Sequence, residues 1–375
     1  MTGARLSPVP MRRLGGALLL LALLTACGKP EPLRVGLLAG LSGSVADLGE
    51  SGRAGAQLAV EEINQAGGVR GRPLELRTRD DAQDPATARS AVAALAGEGV
   101  VAIVGPMTSS MAQAVLPATT EAGLVLLSPT ASASSLARQD DALLMLQSTT
   151  RYNARQAADY HARRGLRRVA ALYDTRNRVY TQDWITGYRE ASVARGVRLV
   201  QAVPFTSGQE DSYLQAVRQL RSGEIDGLMF VANAVDTVRL LLLARQNGLR
   251  QPALGDTWSA TEQLLELGGQ AVEGMSSIQL FNRELDTPRY QGFLRAYRAR
   301  FSTEPGFASV AAYDAVQALA QALRQQEGGE TLKQALLKAG PYEGLQERWN
   351  FDAYGDVRRQ TFVTIVRAGR FVVVN

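Results

Sequence analysis

Cysteine and histidine are almost missing from this chain, which holds one of each in 375 residues. A lone cysteine, Cys27, excludes an internal disulfide. There is no CxxC and no HExxH, so the sequence offers no set of metal ligands. The GxSxG and P-loop patterns are missing as well. His161, close to Tyr160 and a pair of arginines on one helical stretch, reads as a packed or surface residue rather than a catalytic base. The apolar run Ala17 to Leu24 falls well short of the roughly 20 residues that span a bilayer. Charge of one sign is scarce too. The formal +5 includes Arg5, Arg12 and Arg13 near the N-terminus, and later arginines are interspersed with acids, as in RTRDDAQD. Without a basic stripe, nucleic acid is not an expected partner. These absences favour binding over catalysis, with no cofactor.

The first positive signal is MRRLGGALLLLALLTAC at residues 11–27. A basic start, a short apolar run and small residues before a cysteine read as a signal peptide over 1–26. LTAC resembles the lipobox of bacterial lipoproteins, and that resemblance makes Cys27 the lipidated first residue of the mature chain. Residues 27–32 then form a lipid-anchored tether, ending in GKPEP. The expected location is extracytoplasmic and membrane-anchored through the lipid.

Beyond the tether, strand-like and helix-like segments alternate. LRVGLLAG (33–40) is a buried-strand run, and VADLGESGRAGAQLAVEEINQAG has helical spacing. PLELRTRD alternates like a strand. Asp84 and Pro85 supply an N-cap and a first helical residue. VVAIVG leads to a helix from about Ser109 to Ala122, and LVLLS follows. A second series starts near Thr150, with helices expected at 153–164, 182–195, 210–221 and 235–246 between strands such as RRVAALYD and IDGLMFVAN. Helices near 288–300, 308–326 and 331–339 precede antiparallel strands at the C-terminus. The pattern predicts an α/β protein of two Rossmann-like lobes, each built on a parallel sheet.

In open α/β sheets, ligands bind beyond the carboxyl ends of strands, where helix N-termini favour anions. Four such edges carry polar residues: GPMTSS, SPTASASS, YDTRNRVYTQD and ALGDTWSA. Capping of the following helix is an ordinary role for each. Together they are more telling. Lobe one offers hydroxyls and helix ends, whereas lobe two offers Asp256 with Tyr180 and Trp258. This division suits a zwitterion, its carboxylate on lobe one and its ammonium on Asp256.

The stretches RVGLLAGLSGSVADLGESGRAGAQLAVEEINQAGGVRGRPLELRTRDDAQDP, VAIVGPMTSS, LLSPTASASSLAR, GDTWS and WNFDAYGDVR resemble, in order and spacing, the type I periplasmic solute-binding proteins of the branched-chain amino acid group. The likeness runs from Leu33 to the C-terminus. It implies a three-segment hinge with crossings near 147–151, 278–283 and 348–353. The N-terminal lobe would then be 33–149 plus 282–350, and the C-terminal lobe 150–281 plus 351–375. It also implies a monomer that captures an amino acid or analogue and delivers it to the permease subunits of an ABC importer.

Carried over by motif, Ser109 should hold the ligand carboxylate. Thr130 and Ser132 match the segment that serves the ammonium, Tyr180 an aromatic near the α-groups, and Asp256 the acid that pairs with the ammonium. Ser110 and Thr108 are expected as caps, Ser110 with a possible ligand contact, and Trp258 is a further possible contact. Two cysteines found in some amino-acid binders are replaced here by Gln83 and Thr108. The positions of side-chain-facing aromatics hold Leu48 and Asn233, which weakens the expectation of leucine-like specificity. Arg176 and Arg178 lie in the same loop as Tyr180, within reach of a second acidic group on a ligand. The alternative reading is a sensor, or a binder of amides or other small carboxylates.

Overall fold

The computed structural model describes residues 2–4, 30–220 and 225–374. Cys27 and the signal-peptide reading lie outside them. Among the described residues, no helix is long and apolar enough to cross a membrane, and no three His, Cys, Asp or Glu side chains are grouped to hold a metal ion.

The first lobe is built on β1 (Leu33–Ala39), β2 (Leu74–Asp80), β3 (Ile103–Val104), β4 (Leu126–Ser128) and β5 (Leu143–Met145). They form a parallel sheet in the order β2-β1-β3-β4-β5. Strand side chains alternate between faces, and here both faces are buried. Leu37, Val104 and Leu127 pack toward the helices Ala46–Gln65 and Phe307–Gln325. Leu38, Ile103 and Leu126 pack toward Pro85–Gly97 and Ser109–Glu121. Continuous apolar runs are what such a sheet requires.

The second lobe uses β6 (Arg168–Asp174), β7 (Arg198–Phe205), β8 (Gly227–Val231), β9 (Ala253–Gly255) and β10 (Ser276–Gln279), all parallel. A small antiparallel pair, β11 (Tyr342–Glu343) with β12 (Arg348–Trp349), comes next in the chain. Then β13 (Phe362–Arg367) and β14 (Arg370–Val373) add an antiparallel hairpin to the edge at β10. The seven-stranded order is β14-β13-β10-β9-β8-β6-β7.

The chain passes between the lobes after β5, after β10 and again between β12 and β13. The first and third passages are tied together. The Ser148 hydroxyl donates to the Arg359 carbonyl at 2.8 Å and accepts the Arg359 N–H at 2.7 Å. The buried Arg359 guanidinium meets Asp314 at 2.9 Å, so this passage is anchored to the long helix Phe307–Gln325.

Two glycines fix close approaches. Gly55 lies where Ala46–Gln65 crosses Phe307–Gln325, and a Cβ there would sit 2.0 Å from the Ser309 carbonyl oxygen. Gly105, at φ 119°, ends β3 against the Leu38 carbonyl, again 2.0 Å from where a Cβ would be. It brings the Thr108–Ser110 segment tightly over the sheet edge.

Some elements differ from the sequence expectation. The helix expected at 182–195 begins at Arg178, because Asp174 accepts the N–H groups of Arg176 and Asn177 and its carbonyl takes the Thr181 hydroxyl. This turn chemistry winds the loop early and puts Tyr180 on the first helical turn. The strand β10 reads SSIQ, too polar to stand out, yet all four residues are buried. Its Ser276 hydroxyl is matched with that of Tyr160 at 2.6 Å.

Candidate ligand-binding cleft

The lobes touch along the ends of their parallel strands, and two of the cavities between them lie beside those ends. One, of about 20 Å³, is lined by Leu48, Ser109 and Thr130 from lobe one and by Tyr180, Thr257 and Trp258 from lobe two. A void of that size holds about one water molecule. The other, of about 70 Å³, includes Gln83 from lobe one and Asp174, Arg176 and Asn233 from lobe two. Asn177 and Trp258 line both.

Ser109 starts the helix Ser109–Glu121 and is buried. Its hydroxyl oxygen accepts the N–H groups of Ser132 and Ala133 at 3.1 and 3.2 Å. A serine oxygen has two lone pairs. With both engaged, its remaining capacity is to donate a proton, which suits an anion at a helix N-terminus. Thr130 gives its proton to the Met107 carbonyl and keeps acceptor capacity. The Thr108 hydroxyl donates to Gln83 Oε1 at 3.0 Å, so the two positions compared with a cysteine pair are joined by a hydrogen bond.

Two helix N-termini face each other across the cleft, and each caps the other. Asn177 Oδ1 accepts the Ser110 N–H at 3.2 Å, and Ser110 Oγ accepts the Val179 N–H at 3.2 Å. Neither the Asn177 nor the Thr108 side chain caps its own helix. The partial positive ends of two helices thus converge beside Ser109. Ser44 and Ser207 at 3.0 Å, and Thr261 with Asp47 at 2.8 Å, add further hydrogen bonds between lobes.

On the opposite wall, Tyr180 is buried against Trp184 and Trp258, and its hydroxyl pairs with that of Thr257 at 2.9 Å. Burial, with Asp256 nearby, drives its phenol pKa well above the ordinary value. Asp256 is fully buried behind this layer and lines neither cavity. One carboxyl oxygen accepts the Ser259 N–H at 2.9 Å, and Oδ2 makes no well-aligned hydrogen bond among the described residues, although the Tyr180 hydroxyl is close enough to act on the carboxyl. Burial pushes its pKa up to about 7.

Of the residues singled out in the sequence, Ser109, Thr130, Tyr180, Leu48 and Trp258 meet at the smaller cavity and Asn233 lies at the larger. Ser110 is engaged in the exchange of caps. Ser132 lies behind Ser109, its hydroxyl 3.3 Å from that of Thr150. Asn177, Thr257 and Asp174 were not singled out, although each sits at a strand–helix junction that was. His161 is buried against Tyr188, its Nδ1 2.6 Å from the hydroxyl, and burial lowers its pKa to about 3.

A sequence model described as "Periplasmic binding protein" matches residues 32–370. The Leucine-, isoleucine-, valine-, threonine-, and alanine-binding protein of Pseudomonas aeruginosa is 25% identical over 335 residues, 88% of this chain and 89% of that protein. Among solved structures, the branched-chain amino acid transporter substrate-binding protein LivJ of Streptococcus pneumoniae, in complex with isoleucine, superposes with a TM-score of 0.83 at 24% identity. The match covers 92% of this chain and 99% of that one. A solute-binding protein of an R. palustris ABC transporter, in complex with benzoate, reaches 0.82 at 19% identity, covering 92% and 95%. With its two parallel-sheet lobes and a matched region spanning nearly all of the described residues, this chain belongs to the periplasmic binding protein family.

Proposed function

We propose that this protein is the extracytoplasmic substrate-binding component of an ABC importer, and that it captures an amino acid or close analogue between its lobes. The observation that carries the reading is the pairing of a proton-donating Ser109 and two converging helix N-termini with a buried acid, Asp256, whose Oδ2 makes no well-aligned hydrogen bond among the described residues. In this reading Ser109 holds the carboxylate. Thr130 and the segment through Ser132 serve the ammonium, Tyr180 and Trp258 wall the α-groups, and Asp256 supplies the countercharge. The specificities named for the relatives, branched-chain amino acids, threonine and alanine, support the ligand class. Periplasmic binding proteins work outside the cytoplasm, and we assign this one a lipid anchor at Cys27, a monomeric state and the lobe boundaries given above. Cys27→Ser should release it from the membrane fraction and remove the acyl mass. A variant that keeps both would overturn the anchor.

Native mass spectrometry of protein purified with its endogenous ligand tests the main reading. A retained amino acid supports it. A second reading, a simple carboxylate with no ammonium, is favoured by one observation: Asp256 does not line either cavity. A retained ligand without an amino group would move that reading ahead.

A further inference from the structure

We infer that the cleft selects an amino acid whose side chain ends in a neutral group that both donates and accepts hydrogen bonds, above all a carboxamide, over one with a branched aliphatic side chain. The inference rests on the amino-acid reading above and concerns the larger cavity, into which a side chain would extend from α-groups held between Ser109 and Tyr180.

That compartment mixes apolar groups, Val45, Ala82 and Trp258, with polar side chains. Asp174 is almost fully buried and accepts the N–H groups of Arg176, Asn177 and Ser207 at 3.1, 3.2 and 3.1 Å. A carboxylate has about four lone-pair sites, so one remains open. Arg176 lines the same cavity, and its guanidinium makes no hydrogen bond among the described residues, with Asp236 as an electrostatic neighbour. Asn233 and Ser42 complete this part of the wall. Asn233 is engaged with Asp236 through both ends of its amide, and Ser42 with Asp80, so the open groups are the acid and the guanidinium. A leucine side chain here would displace water from those two and return no hydrogen bonds, and an unsatisfied polar group is costly.

Charge narrows the choice further. A ligand carboxylate would reach Arg176 but confront Asp174 and, behind it, the buried Asp236, which interacts with Arg176. Asp81, buried behind Gln83 with an unpartnered Oδ2, adds to that repulsion. An ammonium would suit Asp174 but meet Arg176. A carboxamide offers its oxygen to Arg176 and its N–H to Asp174, with no net charge to oppose either.

Calorimetry on the full chain in detergent, with alanine, leucine, glutamine, glutamate and lysine, tests this. Glutamine should bind about tenfold or more tightly than leucine, glutamate or lysine, because a site built for hydrogen bonds penalises ligands that leave them unmade. Arg176→Ala should narrow the glutamine-to-alanine affinity ratio about tenfold. Leucine binding as tightly as glutamine, or an unchanged ratio in the variant, overturns the inference. Alanine binding in either case leaves the amino-acid reading standing. If no amino acid binds while benzoate does, both fall.

Discussion

The hydroxyls on the lobe-one wall are already committed within their own lobe. Ser109 is held by two N–H groups, Thr130 by a carbonyl and Thr108 by Gln83. On the lobe-two wall, one buried oxygen of Asp256 makes no hydrogen bond among the described residues, and the Arg176 guanidinium makes none there either, with Asp236 as its electrostatic neighbour. A wall of fixed dipoles receives an anion with little rearrangement, as in other preorganised sites. A buried acid behaves differently, because it holds a proton until a cation arrives. The two halves of the ligand are therefore expected to be recognised by different physics, one insensitive to pH near neutrality and one governed by it.

The most severe way to break this contrast is Asp256→Asn, which keeps shape and removes charge. Losing one partner of a desolvated pair costs roughly 2–5 kcal/mol, about 30-fold to several thousand-fold in affinity at about 1.4 kcal/mol per decade. Calorimetry with the copurified amino acid reads it, and unchanged affinity would mean that no ammonium lies there.

The ligand-free protein gives a second test. The folded-state pKa of Asp256, about 7, lies above its ordinary value. Its stabilising contribution is therefore complete below about pH 4 and is lost as pH rises through about 7. At about 1.36 kcal/mol per unit this amounts to roughly 3–5 kcal/mol. Urea unfolding of the empty protein should show stability falling over that window, less so in Asp256→Asn. Other buried acids, Asp174 and Asp236 among them, are raised in the same direction, so the difference between the two proteins is the readout. Amino-acid affinity should rise over the same interval as the acid becomes charged. A flat profile would remove the pH-governed half of the contrast.

Ser109→Ala should cost less, roughly 1.5–3 kcal/mol for a hydrogen bond to a charged group. Its effect should hold steady from pH 6 to 8. A pH-dependent loss would place Ser109 with the other wall. The smallest change belongs to Ser110→Ala, which removes one half of the exchanged caps. About 0.5–1.5 kcal/mol of closed-state stability should be lost, visible as a larger radius of gyration in scattering from the empty protein. No change in radius would show that the exchange does not hold the lobes together.

The parallel sheets were legible because both-face burial writes itself into the sequence as apolar runs, as in LRVGLLA and GLMFV. Ser109 was legible because a hydroxyl after a buried strand marks a helix start. Other features are set by partners remote in sequence. The cap exchange joins residues 67 and 69 positions apart. β10 hides its polarity against Tyr160 and the hairpin strand β13. At GDTW, sequence pattern does not say which neighbour faces the cleft: Thr257 and Trp258 do, while Asp256 turns inward. The early start at Arg178 depends on Asp174 folding back on its own loop, which periodicity does not report.

The contacts between Ser110, Asn177 and Val179 join the lobes through the protein's own groups and need no solute to bridge them. An empty copy closed on these caps would present a transporter with the outline of a loaded one. Fidelity then has to come from time. An empty pair of lobes held by a few hydrogen bonds reopens soon, whereas one bridged by solute lingers, each added 1.4 kcal/mol of bridging extending the dwell about tenfold if it acts on opening alone. Strengthening those caps would make a protein that shuts more readily and signals less.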